Sequence, residues 1–153
     1  MKVKIVAIGN SYSSDDGLAL VALRELRKVK LPKWVKLVEI GSDPLRILKE
    51  VKGCDKLIVL DAILTGRAPP GTLHKFKLSE VEELRKLTLH RLDIGTVTKL
   101  ALLLTEDPPR EVIILGLEPK RIGPGSSLSE EVLNGLRKLV KEVLREISTL
   151  SYG

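Results

Sequence analysis

The sequence of 153 residues contains one cysteine, no glutamine and very few aromatic side chains. The single cysteine, Cys54, excludes an internal disulfide and is typical of a reducing compartment, so we expect a cytoplasmic protein. No apolar run is long enough to cross a bilayer. The first apolar run, KVKIVAI, is short and passes directly into patterned sequence, unlike a signal peptide. The sequence therefore predicts neither membrane insertion nor secretion.

The charged residues are numerous but mixed in sign, with 26 Lys and Arg against 20 Asp and Glu and a net charge of +6. A basic net charge is compatible with nucleic-acid binding. However, basic and acidic residues alternate in segments such as LRKLVKEVLREI, and an aromatic content of 3% leaves few rings for base stacking. We therefore expect no nucleic-acid partner. The scarcity of amides beside abundant Lys, Arg and Glu indicates a heat-adapted source.

Apolar segments of strand and helix periodicity alternate along the chain. The predicted strands are Lys2–Ile8, Trp34–Ile40, Lys56–Ile63, Leu73–Leu78 and Glu111–Leu117. The predicted helices are Asp15–Val29, Asp43–Val51, Ser79–Leu87, Asp93–Leu104 and Leu128–Ile147. A capping-box pattern of Ser127 and Glu130 opens the last helix. This alternation predicts a single α/β domain over residues 1–153, with three layers: a mostly parallel, twisted sheet with helices on both faces.

Polar residues follow several of the predicted strands. Asn10, Asp15 and Asp16 come after the first strand, Asp61 ends the third, and Glu118 follows the last. Since ligands of parallel sheets bind beyond the carboxyl ends of the strands, we expect these side chains to converge at one edge.

The aspartates differ in how readily a structural role explains them. Asp15 stands at a helix start, where a carboxylate caps the helix and complements its dipole, and Asp16 duplicates that role. Asp61 lies within the apolar run LIVLDAI, where a carboxylate is costly to bury without a cation or a hydrogen-bond donor. Its structural alternative is capping of the following loop. Asp16 and Asp61 are therefore the stronger candidates for a functional site.

His90, in the segment TLHRLDI, is the candidate for a third functional group. A single loop histidine is commonly solvated or hydrogen-bonded, and its position alone does not identify it as a ligand. If it meets Asp16 and Asp61, two carboxylates and an imidazole form a site for a divalent cation with open coordination positions. That cation would supply the positive charge that Asp61 lacks.

Five segments together resemble the hydrogenase maturation endopeptidases. They are IGNSYSSDDG, LIVLDAI followed by APPGT, TLHRLDI, VIILGLEP and SLSEEV. They occur in the order and spacing of that family over nearly the whole chain, and the GN-x-x-x-x-DDG element is the most specific. Members of the family remove the C-terminal extension from the large subunit of nickel–iron hydrogenases. Their fold is a twisted sheet with helices on both faces, in agreement with the alternation above.

The resemblance implies a site and a substrate. The metal-contacting and catalytic positions of the family match Asp16, Asp61 and His90, whereas Asp15 and Asn10 match positions that shape the loop. The expected partner is a hydrogenase large-subunit precursor that already carries nickel, so nickel arrives with the substrate. Zinc or cadmium could occupy the same ligands in vitro. Neither the identity of the precursor nor an oligomeric state follows from the sequence.

The chemistry leaves alternatives open. Peptide hydrolysis assisted by the metal could use Asp15 as a base. A serine nucleophile from SYSS with His90 as its base is disfavoured because no G-x-S-x-G element is present. A non-catalytic metal carrier or chaperone in hydrogenase assembly is the main alternative function. A nucleotide-binding domain is disfavoured because two adjacent aspartates would repel phosphate.

Overall fold

A computed structural model describes residues 1–77, 98 and 101–149. Five strands form one sheet: β1 (Val3–Ile8), β2 (Val35–Gly41), β3 (Lys56–Ala62), β4 (Leu73–Lys77) and β5 (Glu111–Leu117). The bounds of β1, β2, β3 and β5 lie within one residue of those predicted. β4 begins at the predicted residue.

The strand order is β2-β1-β3-β5-β4. The first four strands in this order are parallel, and β4 pairs antiparallel with β5 at the edge. β3 lies in the middle of the sheet, and all seven of its residues are buried. Because a central parallel strand is covered on both faces, its sequence is a nearly continuous apolar run, interrupted here only by Lys56, its first residue, and Asp61, its last but one.

Two helices with described bounds cover one face of the sheet: α1 (Leu18–Arg27) and α2 (Glu130–Ser148). The residues of β1 alternate between the faces. Val3, Ile5 and Ala7 pack with these helices, whereas Val6 and Ile8 pack on the other face with Ile47 and Ala101. The sheet therefore has apolar layers on both faces, and the predicted three-layer α/β fold is confirmed.

Three predicted helices differ in detail from the structure. The helix predicted from Asp15 opens with a 3-10 turn, Ser14–Gly17, before α1 begins. The segment predicted as Asp43–Val51 is a 3-10 helix, Pro44–Lys49, with the Asp43 side chain accepting a hydrogen bond from Leu45 N–H. The cap of α2 is Ser129 rather than Ser127, because it is the Ser129 hydroxyl that accepts from Val132 N–H.

Two further helices were predicted between β4 and β5. The one at 79–87 lies outside the described residues. Of the one predicted at 93–104, residues 98 and 101–103 are helical, and the remaining described residue, Leu104, follows in a turn. Among the described helices, none combines the length and the apolar character that a bilayer span requires.

A buried ion-pair cluster lies at the amino end of β3, away from the predicted site. Lys56 is 2% exposed, and its Nζ lies 2.6 Å from Glu146 Oε2 on α2. Lys75 on β4 pairs with the same glutamate and, at 2.7 Å, with Glu142. Cys54 precedes β3 at this end and is buried, which raises the pKa of its thiol. Cys54 is therefore a packing residue remote from the carboxyl edge.

Candidate functional site

The carboxyl edge of the parallel strands is shaped first by the loop after β1. This loop turns so closely that a Cβ on Gly9 would lie 2.1 Å from the carbonyl oxygen of Asp16. Asn10 N–H donates to Asp16 Oδ2 at 3.2 Å, and the Asn10 side chain accepts from Tyr12 N–H at 2.9 Å. The glycine and the asparagine of the GN motif thus have a physical role, because they fold the loop around the Asp16 carboxylate.

Asp61 lies at the same edge, one residue before the end of β3, and is 6% exposed. Within the described part of the chain, its side chain receives a single hydrogen bond, from Ala62 N–H at 2.8 Å. Burial, followed by the nearby charge of Asp16, raises the pKa of Asp61 well above its ordinary value, against the lowering effect of that hydrogen bond. The fold therefore brings Asp16 and Asp61 together, and the described residues offer the Asp61 charge one donor and no cation.

A close approach of β5 fixes the backbone beneath this pair. Asp61 is in register with Gly116 of β5, and a Cβ at Gly116 would lie 2.0 Å from the Asp61 carbonyl oxygen. Glycine is required here by space. Gly116 is the glycine of the segment VIILGLEP. The sequence pattern of that segment does not predict this close approach to Asp61.

Two carboxylates at one edge provide hard oxygen ligands of the kind that divalent cations bind. Among the described residues, no group of three His, Cys, Asp or Glu side chains is arranged to hold a metal ion. His90, the predicted third ligand, lies outside those residues. The metal-binding and catalytic roles of Asp16, Asp61 and His90 therefore stay predictions.

Asp15 shapes the loop, as the resemblance implied, but it is neither a helix cap nor a base. Its carboxylate is fully buried and accepts four hydrogen bonds, from Lys120 N–H, Arg121 N–H, and both the N–H and the hydroxyl of Ser129, at 2.7 to 3.0 Å. Burial alone would raise the pKa of Asp15, but these bonds outweigh it and leave the pKa lowered. A carboxylate so fully occupied neither caps its own helix nor serves as a base. It ties the Asp16 loop to the segment that precedes α2.

Ser14 adds to the same connection between the two loops. It is buried with a left-handed backbone, φ 51°, and its hydroxyl donates to the Gly123 carbonyl at 2.9 Å. Ser14 N–H donates to the Gly125 carbonyl, also at 2.9 Å. The hydroxyl of Ser14 is therefore used structurally, which argues against Ser14 as a nucleophile.

A second polar cluster at this edge is centred on Glu118, which was predicted to lie there, but its partners were not predicted. The Glu118 side chain accepts from Thr65 N–H, Gly66 N–H and the Thr65 hydroxyl. His74 Nε2 lies 2.8 Å from Glu118 Oε1. Burial would raise the pKa of Glu118, but its hydrogen bonds to Thr65, His74 and Gly66 leave the pKa lowered. His74 alternates with apolar neighbours in the sequence, and this pattern predicts a position at solvent or at an edge of the sheet. It lies on an edge strand, but its side chain is only 14% exposed because it faces Glu118.

These observations define a three-layer α/β protein with an acidic carboxyl edge. A family model described as hydrogenase maturation protease matches residues 21–146. The chain belongs to this family, which makes it a peptidase, as the motifs predicted.

Individual relatives agree with the family assignment. The chain is 27% identical over 148 residues to the hydrogenase 2 maturation protease of Escherichia coli strain K12, covering 94% of this chain and 89% of the relative. A solved structure, the [NiFe] hydrogenase maturation protease HybD from Thermococcus kodakarensis, superposes with a TM-score of 0.78 at 30% identity, covering 96% of this chain and 99% of that chain. The hydrogenase maturating endopeptidase HybD from E. coli superposes with a TM-score of 0.85 at 21% identity, covering 97% and 93%, which supports the fold.

Proposed function

We propose that this peptidase removes the C-terminal extension of a nickel–iron hydrogenase large-subunit precursor after nickel has been inserted. The observation that supports this most strongly is the apposition of Asp16 and Asp61 at the carboxyl edge, in a member of the maturation protease family. In this proposal the two carboxylates, with His90, face the nickel that the precursor carries. Nickel is then part of the substrate, and the protease recognises the precursor by its bound nickel.

The electrostatics of Asp16 and Asp61 explain why a nickel-bearing precursor would bind preferentially. Asp61 is buried with one hydrogen bond from the described residues and with the Asp16 charge nearby. Two like charges in a poorly solvated site repel each other, and a divalent cation removes that repulsion. A precursor that brings a cation therefore gains binding free energy here, whereas a precursor without nickel brings no cation to offset the repulsion between the two carboxylates.

The residues of the chain then have separate roles. Asp16 and Asp61 bind the metal-bearing end of the substrate and orient it, and the bound metal supplies Lewis-acid polarisation of the scissile carbonyl or of a water molecule. Asp15 holds the Asp16 loop in place through its four hydrogen bonds. Because Asp15 is occupied in this way, it is excluded as the base of the reaction.

The test is cleavage of a nickel-loaded and a nickel-free large-subunit precursor from the same source, followed by intact-mass spectrometry. We expect loss of the C-terminal extension from the loaded precursor alone. Asp16→Asn, Asp61→Asn and His90→Ala should each abolish it. Asp107→Asn is the matched control because Asp107 is an exposed aspartate in a bend, and it should cleave normally.

Two results would contradict the proposal. Cleavage of nickel-free precursor at the same rate would show that nickel is not required. Normal cleavage by Asp16→Asn or Asp61→Asn would show that these residues do not form the active site. Metal binding by the wild type without cleavage of either precursor would favour the alternative function as a carrier or chaperone.

We place the reaction in the cytoplasm, where the free thiol of Cys54 stays reduced.

A further inference from the structure

The loop that connects β3 to β4, residues 63–72, begins immediately after the strand that carries Asp61. It is long for a connection between neighbouring elements of a compact domain, and such loops are commonly functional. Gly66, Arg67, Pro69 and Pro70 at its tip are exposed. The tip therefore adds little to the core, and its conformation needs another explanation.

Glu118 fixes the first half of this loop from below. Its Oε2 accepts from Thr65 N–H at 2.9 Å and from Gly66 N–H at 3.1 Å. Its Oε1 accepts from the Thr65 hydroxyl at 2.6 Å and lies 2.8 Å from His74 Nε2. The Thr65 hydroxyl in turn accepts from Arg67 N–H at 3.0 Å. One buried carboxylate thus sets the backbone up to Arg67.

The second half of the loop is fixed by backbone contacts. Gly71 N–H donates to the Glu118 carbonyl at 2.7 Å, and Glu118 N–H donates to the Thr72 carbonyl at 2.9 Å. Helix α2 packs directly against Gly71: a Cβ on Gly71 would lie 2.3 Å from the Glu131 carbonyl oxygen, and one on Gly135 would lie 2.6 Å from the Gly71 carbonyl oxygen. Both ends of the exposed tip are therefore held rigidly.

A buried carboxylate is an expensive way to hold an exposed loop. Glu118 is 2% exposed, and taking a carboxylate out of water costs free energy that its hydrogen bonds have to offset. What the carboxylate provides is a defined geometry for the donors that surround it, and a defined geometry lowers the entropic cost of binding a partner. The arrangement is therefore better suited to recognition than to stability.

Arg67 gives this tip a specific chemistry. It is exposed, and within residues 1–77 and 101–149 no carboxylate pairs with it. Lys120, another exposed cation of the same edge, is by contrast neutralised by Glu131 at 2.9 Å. A cation on a preset loop beside an acidic site is suited to a carboxylate of a bound partner, since guanidinium and carboxylate match in shape.

We propose that the loop tip at residues 66–70 is one wall of the substrate cleft, that Arg67 binds a carboxylate of the precursor, and that Glu118 is the positioning residue that presets this wall. The proposal rests on the proposed function, because the partner is the same precursor. It assigns recognition to the loop and leaves the chemical step to the aspartate pair.

The test is steady-state cleavage of nickel-loaded precursor by Arg67→Ala, Arg67→Glu and Glu118→Gln, with precursor affinity measured in parallel by biolayer interferometry. We expect Arg67→Ala to raise KM about ten- to a hundredfold, in line with the loss of a charged hydrogen bond, while kcat changes less than about twofold. Arg67→Glu should raise KM further, and Glu118→Gln should raise it in the same way. Arg24→Ala, at an exposed arginine of α1, is the matched control and should behave as wild type.

Unchanged KM and affinity in Arg67→Ala would overturn the proposal, and so would a fall in kcat alone. Since Arg67 is an exposed residue, this variant decides the matter even if Glu118→Gln does not fold. If Glu118→Gln folds and leaves KM unchanged, Glu118 loses its assigned role. A wild-type protein that neither binds nor cleaves the precursor would instead overturn the proposed function, and this inference with it.

Discussion

Replacing Asp61 with asparagine should make the protein more stable. Asp61 is 6% exposed, and the described residues give it one hydrogen bond and the neighbouring charge of Asp16. The amide oxygen of the replacement can still accept from Ala62 N–H, so the substitution removes the charge and keeps the shape. A stabilising substitution at a site residue is the expected signature of a carboxylate kept for function.

The size of the effect follows from the burial of the charge. A buried polar group that lacks adequate partners costs about 1–3 kcal/mol, and a charged one costs more. For a chain of this length, 1 kcal/mol shifts Tm by about 2–4 °C, so we expect Asp61→Asn to raise Tm by about 3–10 °C near neutral pH.

The free energy of unfolding should depend on pH in a direction that follows from the raised pKa of Asp61. Because the pKa of Asp61 is raised in the folded protein, the folded state binds this proton more tightly than the unfolded chain does. Ionised Asp61 therefore destabilises the protein above its folded pKa. The penalty diminishes as the pH falls through that pKa and disappears below the ordinary value of 3.8. The stabilisation by Asp61→Asn should diminish over the same range.

Thermal or urea unfolding of both proteins over a range of pH measures this difference directly. Acidic groups away from the site titrate identically in both proteins, so the difference between the two curves reports the titration of Asp61 together with its interaction with Asp16. The exposed Asp107→Asn variant should leave the curve unchanged. A lower Tm for Asp61→Asn at neutral pH, or a difference that does not depend on pH, would refute the reasoning.

Two further substitutions test the supports of the site. Asp15→Asn should destabilise the protein by about 3 kcal/mol, because an amide NH₂ would face the N–H and O–H donors that Asp15 accepts from, including those of Ser129. Since the pKa of Asp15 is lowered in the fold, this loss should be full above pH 3.8 and diminish in more acidic solution, which urea unfolding would show. Gly116→Ala should cost about 3 kcal/mol, because its Cβ would lie 2.0 Å from the Asp61 carbonyl oxygen. Gly53→Ala, where a Cβ meets no atom within 4 Å, is its control and should cost about 1 kcal/mol for its left-handed backbone alone.

The strands were predictable because their physical signal is local. A central strand such as Lys56–Ala62 is buried on both faces and has to be apolar along its length. Asp61 interrupts that pattern, and the sequence alone therefore identified it as an unusual residue. Asp16 was found from the GN-x-x-x-x-DDG motif, whose glycine and asparagine fold the loop around that carboxylate.

The cap of α2 was predicted wrongly, and the contact of His74 with Glu118 was not predicted, since both depend on distant partners. Ser127 and Ser129 carry the same hydroxyl, and the choice between them is made by Asp15, which binds Ser129 across 114 positions of sequence. His74 alternates like a residue at a solvated edge. The His74 side chain is largely buried because it contacts the carboxylate of Glu118, which follows the neighbouring strand β5.

The sequence by itself determined the order of the elements, the three-layer class, the family and two aspartates worth examining, because periodicity and short motifs are properties of neighbouring residues. Only the tertiary structure decided which carboxylates are compensated. Asp15 and Glu118 are each surrounded by donors from distant segments, whereas the only donor that the described residues give Asp61 is its neighbour Ala62, and the charge of Asp16 lies nearby. All of these side chains are chemically alike, and burial, donors and neighbouring charge are set by contacts between segments far apart in the chain.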